Sequence, residues 1–145
     1  MKRLFLLAAI IAATTACGGS DIENAIVKIS SGKIHGELAE GVYSFKGVPY
    51  ATAERFQPSE FVPEWKEVRE CTEYGPWAKQ SGRNVSEEGA GDFLANVWTT
   101  GLKDNGNRPI MVWLHGGGFS SGASNAGPVD GSALAEKGGA LVSIN

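Results

Sequence analysis

Three consecutive glycines, Gly116 to Gly118, lie between His115 and Phe119 at the end of an apolar segment. Glycine has no side chain to block a ligand and readily takes a positive φ, so successive N–H groups can turn towards one point. Convergent N–H groups of this kind attract a negatively charged oxygen. They matter most where charge develops in a transition state, as on the carbonyl oxygen of an ester under nucleophilic attack. The segment therefore predicts part of an oxyanion hole.

Glycine runs also bind phosphates, and the sequence tests two such alternatives. A dinucleotide fingerprint needs glycines at i, i+2 and i+5, but Gly116 and Gly118 are followed by Ser121. A Walker loop needs Gly-Lys-Ser or Gly-Lys-Thr, and neither triplet occurs. The formal net charge of −3 lacks the basic excess that a nucleic-acid partner would require. A dinucleotide-binding domain is thus disfavoured, and no nucleic-acid partner is expected.

The segments around the glycines predict a parallel β-α-β unit. Residues 109–114 form an unbroken apolar run, which is typical of a strand covered on both faces. Asp130 can cap a short helix and Gly138 can end it, and residues 140–144 form a second buried strand. A strand, helix and strand in this order predict an α/β fold with a parallel pair of strands.

Upstream, the sequence predicts strands and then a long irregular region. Residues 26–36 are typical of a hairpin with a turn at 30–33, and residues 41–50 form a further extended segment that ends at a proline. We expect these strands to be antiparallel and peripheral. Residues 51–91 predict an irregular surface region held by buried aromatic residues such as Trp65 and Trp77.

The N-terminus has the layout of a secretory signal. Lys2 and Arg3 precede ten apolar residues, which as a helix reach about 15 Å, half of a hydrocarbon core of roughly 30 Å. The following segment resembles a bacterial lipoprotein signal, although Thr14 stands where a larger aliphatic residue is usual. We expect a signal peptide at residues 1–16, a lipid anchor on Cys17, a tether at 17–24 and a domain over 25–145.

This layout predicts export to the bacterial periplasm or outer surface, with membrane contact only through the lipid anchor. The alternative is ordinary cleavage after Ala16 and secretion. With Cys17 lipidated, Cys71 has no disulfide partner in the sequence, and we expect it to be a semi-buried small residue or a free thiol.

From about Ile26 onwards, the chain resembles the type-B carboxylesterase and cholinesterase family in the order and spacing of several segments. These segments are residues 32–36, 45–51, 55–56, 75–76, 96–99, 112–119, 130–131, 134–135 and 142–145. The hormone-sensitive-lipase-like esterases share the glycine motif but lack the segments at 45–51 and 96–98, so they match less well.

The resemblance implies the N-terminal part of an α/β-hydrolase fold, a small antiparallel hairpin plus the first strands of the central mixed sheet. It also implies a serine esterase that acts on small-molecule esters through an acyl-enzyme, without a cofactor or metal. Gly117 and Gly118 take the places of the family's oxyanion donors. A non-catalytic adhesion or binding domain of the cholinesterase type is the alternative function.

Other polar residues receive structural expectations. We expect His115 to fix the glycine turn and His35 to be a surface residue of the hairpin. Ser120, Ser121 and Ser124 are expected to be loop residues rather than nucleophiles. Arg55 resembles a family arginine held in a buried ion pair, whose acidic partner would be Glu87, Glu88 or Asp92 here.

Two departures from the family bear on function. The cysteines of a small disulfide loop are replaced by Ala78 and by the region 91–93, so the loop from Gln80 to Asp92 is expected to be untethered. The family's serine lies in a Gly-x-Ser-x-Gly elbow after later strands, and we expect this elbow beyond Asn145. The segment is therefore expected to be an incomplete copy of a longer hydrolase, inactive by itself.

Overall fold

The computed structural model describes residues 25–80, 91–127 and 129–145. The predicted signal peptide, Cys17 and the tether lie outside these residues. The described chain forms a three-stranded sheet, a five-stranded sheet and a two-stranded ribbon. Its strands are β1 (Ile26–Ile29), β2 (Gly32–His35), β3 (Glu37–Ala39), β4 (Val42–Pro49), β5 (Ala51–Thr52), β6 (Glu60–Phe61), β7 (Val68–Glu70), β8 (Leu94–Thr99), β9 (Ile110–Leu114) and β10 (Ala140–Ile144).

The predicted hairpin forms the small sheet. Strands β1 and β2 pair antiparallel, and β7 adds to β2 in parallel. Gly32 sits at the turn with a φ of +153°, and a side chain there would collide with the indole of Trp65. The indole Nε1–H of Trp65 donates to the carbonyl of Lys33 at 2.9 Å. Trp65 is thus one of the expected aromatic anchors, and it packs the irregular region onto the hairpin.

The five-stranded sheet has the order β3-β4-β8-β10-β9. Strand β10 pairs antiparallel with β8 and parallel with β9, as the predicted β-α-β unit requires. The expectation that residues 41–50 are peripheral is wrong, because β4 lies between β3 and β8. Val42, Phe45 and Val48 on this strand are all buried.

Strand β9 differs from its prediction. Its apolar sequence is typical of a strand covered on both faces, but Ile110 and Leu114 are 67% and 69% exposed. Among the described elements β9 pairs only with β10 and lies at the edge of the sheet. Trp113 is its one half-buried residue, packed on the cluster that contains Trp98 and Leu141. The prediction of a buried strand is therefore wrong for this structure.

The short helix α1 (Ser132–Glu136) connects β9 to β10 on the side of Trp98. The prediction of Asp130 as the cap is wrong, because Gly131 is the N-cap residue and has no side chain to cap the helix. The Asp130 carboxylate, one position earlier, accepts a hydrogen bond from the Ser132 N–H at 2.7 Å. The helix ends as expected, since Gly138 takes a φ of +88° and its N–H donates to the carbonyl of Ala135.

Candidate functional site

The glycine turn begins directly after β9, where His115 follows the last strand residue. Gly117 has a φ of +132° and Gly118 a φ of +60°, values that L side chains rarely adopt. Phe119 follows with a φ of +62° and a fully exposed ring. The backbone therefore reverses sharply at the end of the strand, as the sequence predicts.

The carbonyl groups of this turn are held by hydrogen bonds. The imidazole Nδ1 of His115 lies 2.8 Å from the carbonyl oxygen of Gly116, which can only accept, so we assign the Nδ1–H tautomer to this histidine. The carbonyl of Gly117 accepts from the N–H groups of Ser120 and Ser121 at 3.1 and 3.2 Å. The predicted role of His115, fixing the turn, agrees with this geometry.

These bonds determine where two N–H groups point. A trans peptide is planar, and its N–H points opposite to its carbonyl. With the carbonyls of Gly116 and Gly117 held, the N–H groups of Gly117 and Gly118 face the other way. Within residues 25–80, 91–127 and 129–145, neither of these N–H groups has a hydrogen-bond acceptor. Both are therefore available to a bound oxygen.

A cavity of about 400 Å³ adjoins the turn. Residues 115–122 form one wall, and Ala78, Lys79 and Gln80 form the other. Four glycines without side chains line it, Gly116, Gly117, Gly118 and Gly122. A small planar group such as an ester could therefore approach the main chain closely. The side-chain amide of Gln80 reaches across to Gly122, with bonds of 2.9 and 3.0 Å.

Residues 118–122 have the sequence pattern Gly-x-Ser-x-Gly. The expectation that this pattern occurs only beyond Asn145 is therefore wrong. The structure does not make the match a nucleophile elbow, which needs a serine on a strained turn between a strand and a helix. Ser120 lacks a positive φ, and its hydroxyl donates to the carbonyl of Gly117 at 3.1 Å. Helix α1 begins only at Ser132.

The far end of the loop is anchored by buried amides. The side chain of Asn96 is almost fully buried and donates to the hydroxyls of Ser124 and Ser143 at 3.1 and 3.0 Å. Its carbonyl oxygen accepts from the N–H of Gly47 at 2.8 Å. The side chain of Asn145 accepts from the N–H of Ser124 at 2.6 Å. Ser124 is thus a structural residue, as expected, and Asn96 and Asn145 join the loop to the sheet.

The two positions that correspond to the family's disulfide cysteines lie in contact. Gly91 packs so closely on the main chain of Trp77 and Ala78 that a side chain at this position would collide with it. The side chain of Asn145 donates to the carbonyl of Gly91 at 2.7 Å. The expectation of an untethered loop is therefore wrong for its two ends, which are held by packing and hydrogen bonds instead of a covalent bond.

Two further side chains lie away from the cavity. His35 is half-buried rather than a surface residue, and its Nδ1 lies 2.7 Å from the carboxylate of Glu70. Arg55 is exposed, so its expected buried environment is absent, and its guanidinium stacks 4.9 Å from the ring centre of Phe56. Of its candidate partners, Glu87 and Glu88 lie outside the described residues.

Cys71 is a free and buried thiol. Burial raises its pKa to about 11, against a smaller opposite effect of the neighbouring Arg69. Within the ranges that the structure describes, His, Cys, Asp and Glu side chains form no group of three or more that could hold a metal ion. The same ranges contain no helix long and apolar enough to cross a membrane.

Comparison with known proteins gives a family match over residues 23–145, to the carboxylesterase family. Among curated proteins, the chain is 35% identical to phenmedipham hydrolase of Pseudarthrobacter oxydans over 118 residues, which are 72% of this chain and 24% of that protein. It is 33% identical to para-nitrobenzyl esterase of Bacillus subtilis, over 81% of this chain and 26% of the relative. The chain thus spans about a quarter of the length of these relatives.

Solved structures agree with this match. The carboxylesterase EST55 of Geobacillus stearothermophilus superposes with a TM-score of 0.74 at 35% sequence identity. The alignment covers 83% of this chain and 26% of that enzyme. A para-nitrobenzyl esterase structure superposes with a TM-score of 0.72 at 33% identity. The predicted fold class, the N-terminal part of an α/β-hydrolase fold, is confirmed.

Proposed function

Because this chain belongs to the carboxylesterase family, we propose that it supplies half of the active site of a serine carboxylic ester hydrolase. Gly117 and Gly118 are the oxyanion donors in this proposal. The observation that carries it is their pair of N–H groups, without acceptors among the described residues and beside a cavity. The held carbonyls of Gly116 and Gly117 fix the direction of both donors before any substrate binds.

The proposed chemistry is acyl transfer. A serine hydroxyl attacks the ester carbonyl and gives its proton to a histidine base, and the two N–H groups stabilise the negative charge on the carbonyl oxygen. The C–O bond to the alcohol then breaks, the alcohol leaves with that proton, and water hydrolyses the acyl-enzyme. Loss of one oxyanion donor typically costs roughly 3 to 4 kcal/mol of barrier stabilisation. The serine, its histidine base and its acid come from a part of the protein outside these residues, so the segment alone is inactive.

The proposed substrates are small carboxylic esters, with aryl esters as the first class to test. The name of one relative, para-nitrobenzyl esterase, describes esters with a small aromatic group. A nitrophenyl acetate assay of the full-length gene product tests the proposal. Steady hydrolysis that a serine-directed fluorophosphonate abolishes is the expected result, and no hydrolysis of any nitrophenyl ester would contradict it.

Substitutions at Gly118 test the donor itself. Gly118→Pro removes one N–H, and we expect kcat to fall at least about a hundredfold. Gly118→Asn is the matched control, because asparagine tolerates a positive φ, keeps the N–H and has free space around its Cβ. Hydrolysis should therefore persist in Gly118→Asn. An equal loss in both variants, or retained turnover in Gly118→Pro, would refute the role of this N–H.

The position of the nucleophile can be tested separately. We expect the fluorophosphonate to label a serine outside residues 115–124, and Ser120→Ala to retain turnover, because Ser121 still donates to the carbonyl of Gly117. A labelled Ser120 would show that the Gly-x-Ser-x-Gly match at 118–122 is the elbow after all.

Export with a lipid on Cys17 is also a proposal, supported by the signal layout of residues 1–16. Metabolic labelling with palmitate in a bacterial host should mark the native protein and not Cys17→Ala. Equal labelling of both would contradict the anchor, while cleavage after Ala16 without labelling would favour the secreted alternative.

A further inference from the structure

Gln80 clamps the main chain of Gly122 with both ends of its side-chain amide. Its Nε2–H donates to the carbonyl of Gly122 at 2.9 Å, and its Oε1 accepts from the N–H of Gly122 at 3.0 Å. A second Nε2–H bond reaches the carbonyl of Ala78 at 3.1 Å. The amide thus satisfies both polar groups of one residue, as a neighbouring strand would, across 42 positions of sequence.

Gly122 lies where its position affects the oxyanion turn. It takes a φ of +115°, and a Cβ built there would collide with the imidazole of His115 and the carbonyl of Gly116. The main chain of Gly122 therefore packs directly on the histidine that holds the Gly116 carbonyl. Since that carbonyl sets the direction of the Gly117 N–H, movement of Gly122 would disturb the donor.

The other hydrogen bonds of the turn and loop within residues 25–80, 91–127 and 129–145 act at different points. Ser120 and Ser121 hold the carbonyl of Gly117, but they lie within the turn and move with it. Asn96 and Asn145 fix the loop only from Ser124 onwards. Between these points, the side chain of Gln80 joins the turn to a different segment of the chain.

We propose that Gln80 is a positioning residue for the oxyanion loop, holding Gly122 and thereby His115 and the Gly117 N–H in place. The inference rests on the proposed esterase function for its effect on catalysis. Small displacements of a catalytic group can lower the rate about a hundredfold. Substrate binding depends on many other contacts, so loss of the clamp should lower kcat and leave KM nearly unchanged.

Two substitutions in the full-length protein separate hydrogen bonding from packing. Gln80→Met keeps most of the side-chain volume without either polar atom, and Gln80→Ala removes both volume and bonds. We expect each variant to lower kcat for a nitrophenyl ester about tenfold to a hundredfold, with KM within about twofold of its original value. Gln57→Met is the matched control, because Gln57 is an exposed residue that does not line the cavity at the turn.

Amide hydrogen exchange provides a readout that does not need activity. In Gln80→Met, peptides spanning 115–122 should exchange about tenfold faster than in the original protein, while peptides of β8 and β10 should be unchanged. Full kcat in Gln80→Met, or unchanged exchange in 115–122, would overturn the positioning role. A protein that hydrolyses no ester contradicts the proposed function alone, and exchange then decides whether Gln80 holds the loop.

Discussion

At the residue scale, the buried thiol of Cys71 links stability to pH. Burial raises its pKa from an ordinary value of 9.0 to about 11, so the folded state binds this proton more tightly than the unfolded chain. The resulting stabilisation is complete below about pH 9 and is lost as pH rises towards 11. It amounts to roughly 3 kcal/mol, since the shift is about two pKa units at about 1.36 kcal/mol per unit.

Urea unfolding of the original protein and of Cys71→Ala, followed between pH 8 and about pH 11, checks this expectation. The difference in unfolding free energy between the two proteins should shrink as the pH rises. Tyr50 and Tyr74 also have raised pKa values because of burial, and both remain in the variant, so the comparison isolates Cys71. A difference that stays constant over this range would contradict the prediction.

The sequence predicts the chemistry of the glycine turn better than the residues that support it. Gly117, Gly118 and His115 are neighbours in sequence, so their motif is readable without a structure. Gln80 acts on Gly122 from 42 residues away, and no local pattern indicates such a contact. Asn96 does give a weak indication of its supporting role in the sequence, because a buried strand rarely contains an amide unless its hydrogen bonds are satisfied.

At the scale of elements, α1 depends on Asp130 at its start. The carboxylate interacts with the hydroxyl of Ser132 and accepts a hydrogen bond from the Ser132 N–H, and these two contacts, in that order of size, lower the pKa of Asp130. A lowered pKa gives stability that is present above the ordinary value of 3.8 and lost as pH falls below it. Asp130→Ala should destabilise the protein by about 0.5 to 1 kcal/mol at neutral pH, since the site is exposed and screened.

Asp130→Asn is the informative comparison for the hydrogen bond between Asp130 and Ser132. Its amide oxygen can still accept from Ser132, so stability at neutral pH should stay close to that of the original protein. The part of the acid sensitivity due to Asp130 should disappear, because the amide does not titrate. Thermal unfolding at pH 7 and pH 3 measures both effects. Equal stability of Asp130→Ala and the original protein at pH 7 would show that the bond between Asp130 and Ser132 contributes nothing.

The elements differ in how well the sequence predicts their surroundings. Helix α1 ends at a glycine, and the hairpin turns at Gly32, because these features are encoded by adjacent residues. The apolar run of β9 correctly predicts a strand, but its cover depends on parts of a fold far away in sequence. The position of β4 inside the sheet likewise depends on β8, about fifty residues later.

At the scale of the whole molecule, the exposed edge at β9 predicts self-association of residues 25–145 produced alone. Met111 and Val112 are more than half exposed, and the outer side of β9 has no partner strand among the described elements. An apolar edge with unpaired N–H and carbonyl groups is a template for pairing with a second chain. Charged side chains on such an edge oppose pairing, because association would bury them.

We therefore expect the double variant Met111→Lys, Val112→Lys to shift this segment towards the monomer in size-exclusion chromatography with light scattering. Phe61→Lys is the matched control, since it removes an apolar residue that is 93% exposed on the separate β5-β6 ribbon. It should leave the association unchanged. If the control dissociates the oligomer and the double variant does not, the contact surface lies on the ribbon. A full-length protein that covers β9 should be monomeric under conditions in which the segment associates, because the edge is then no longer available.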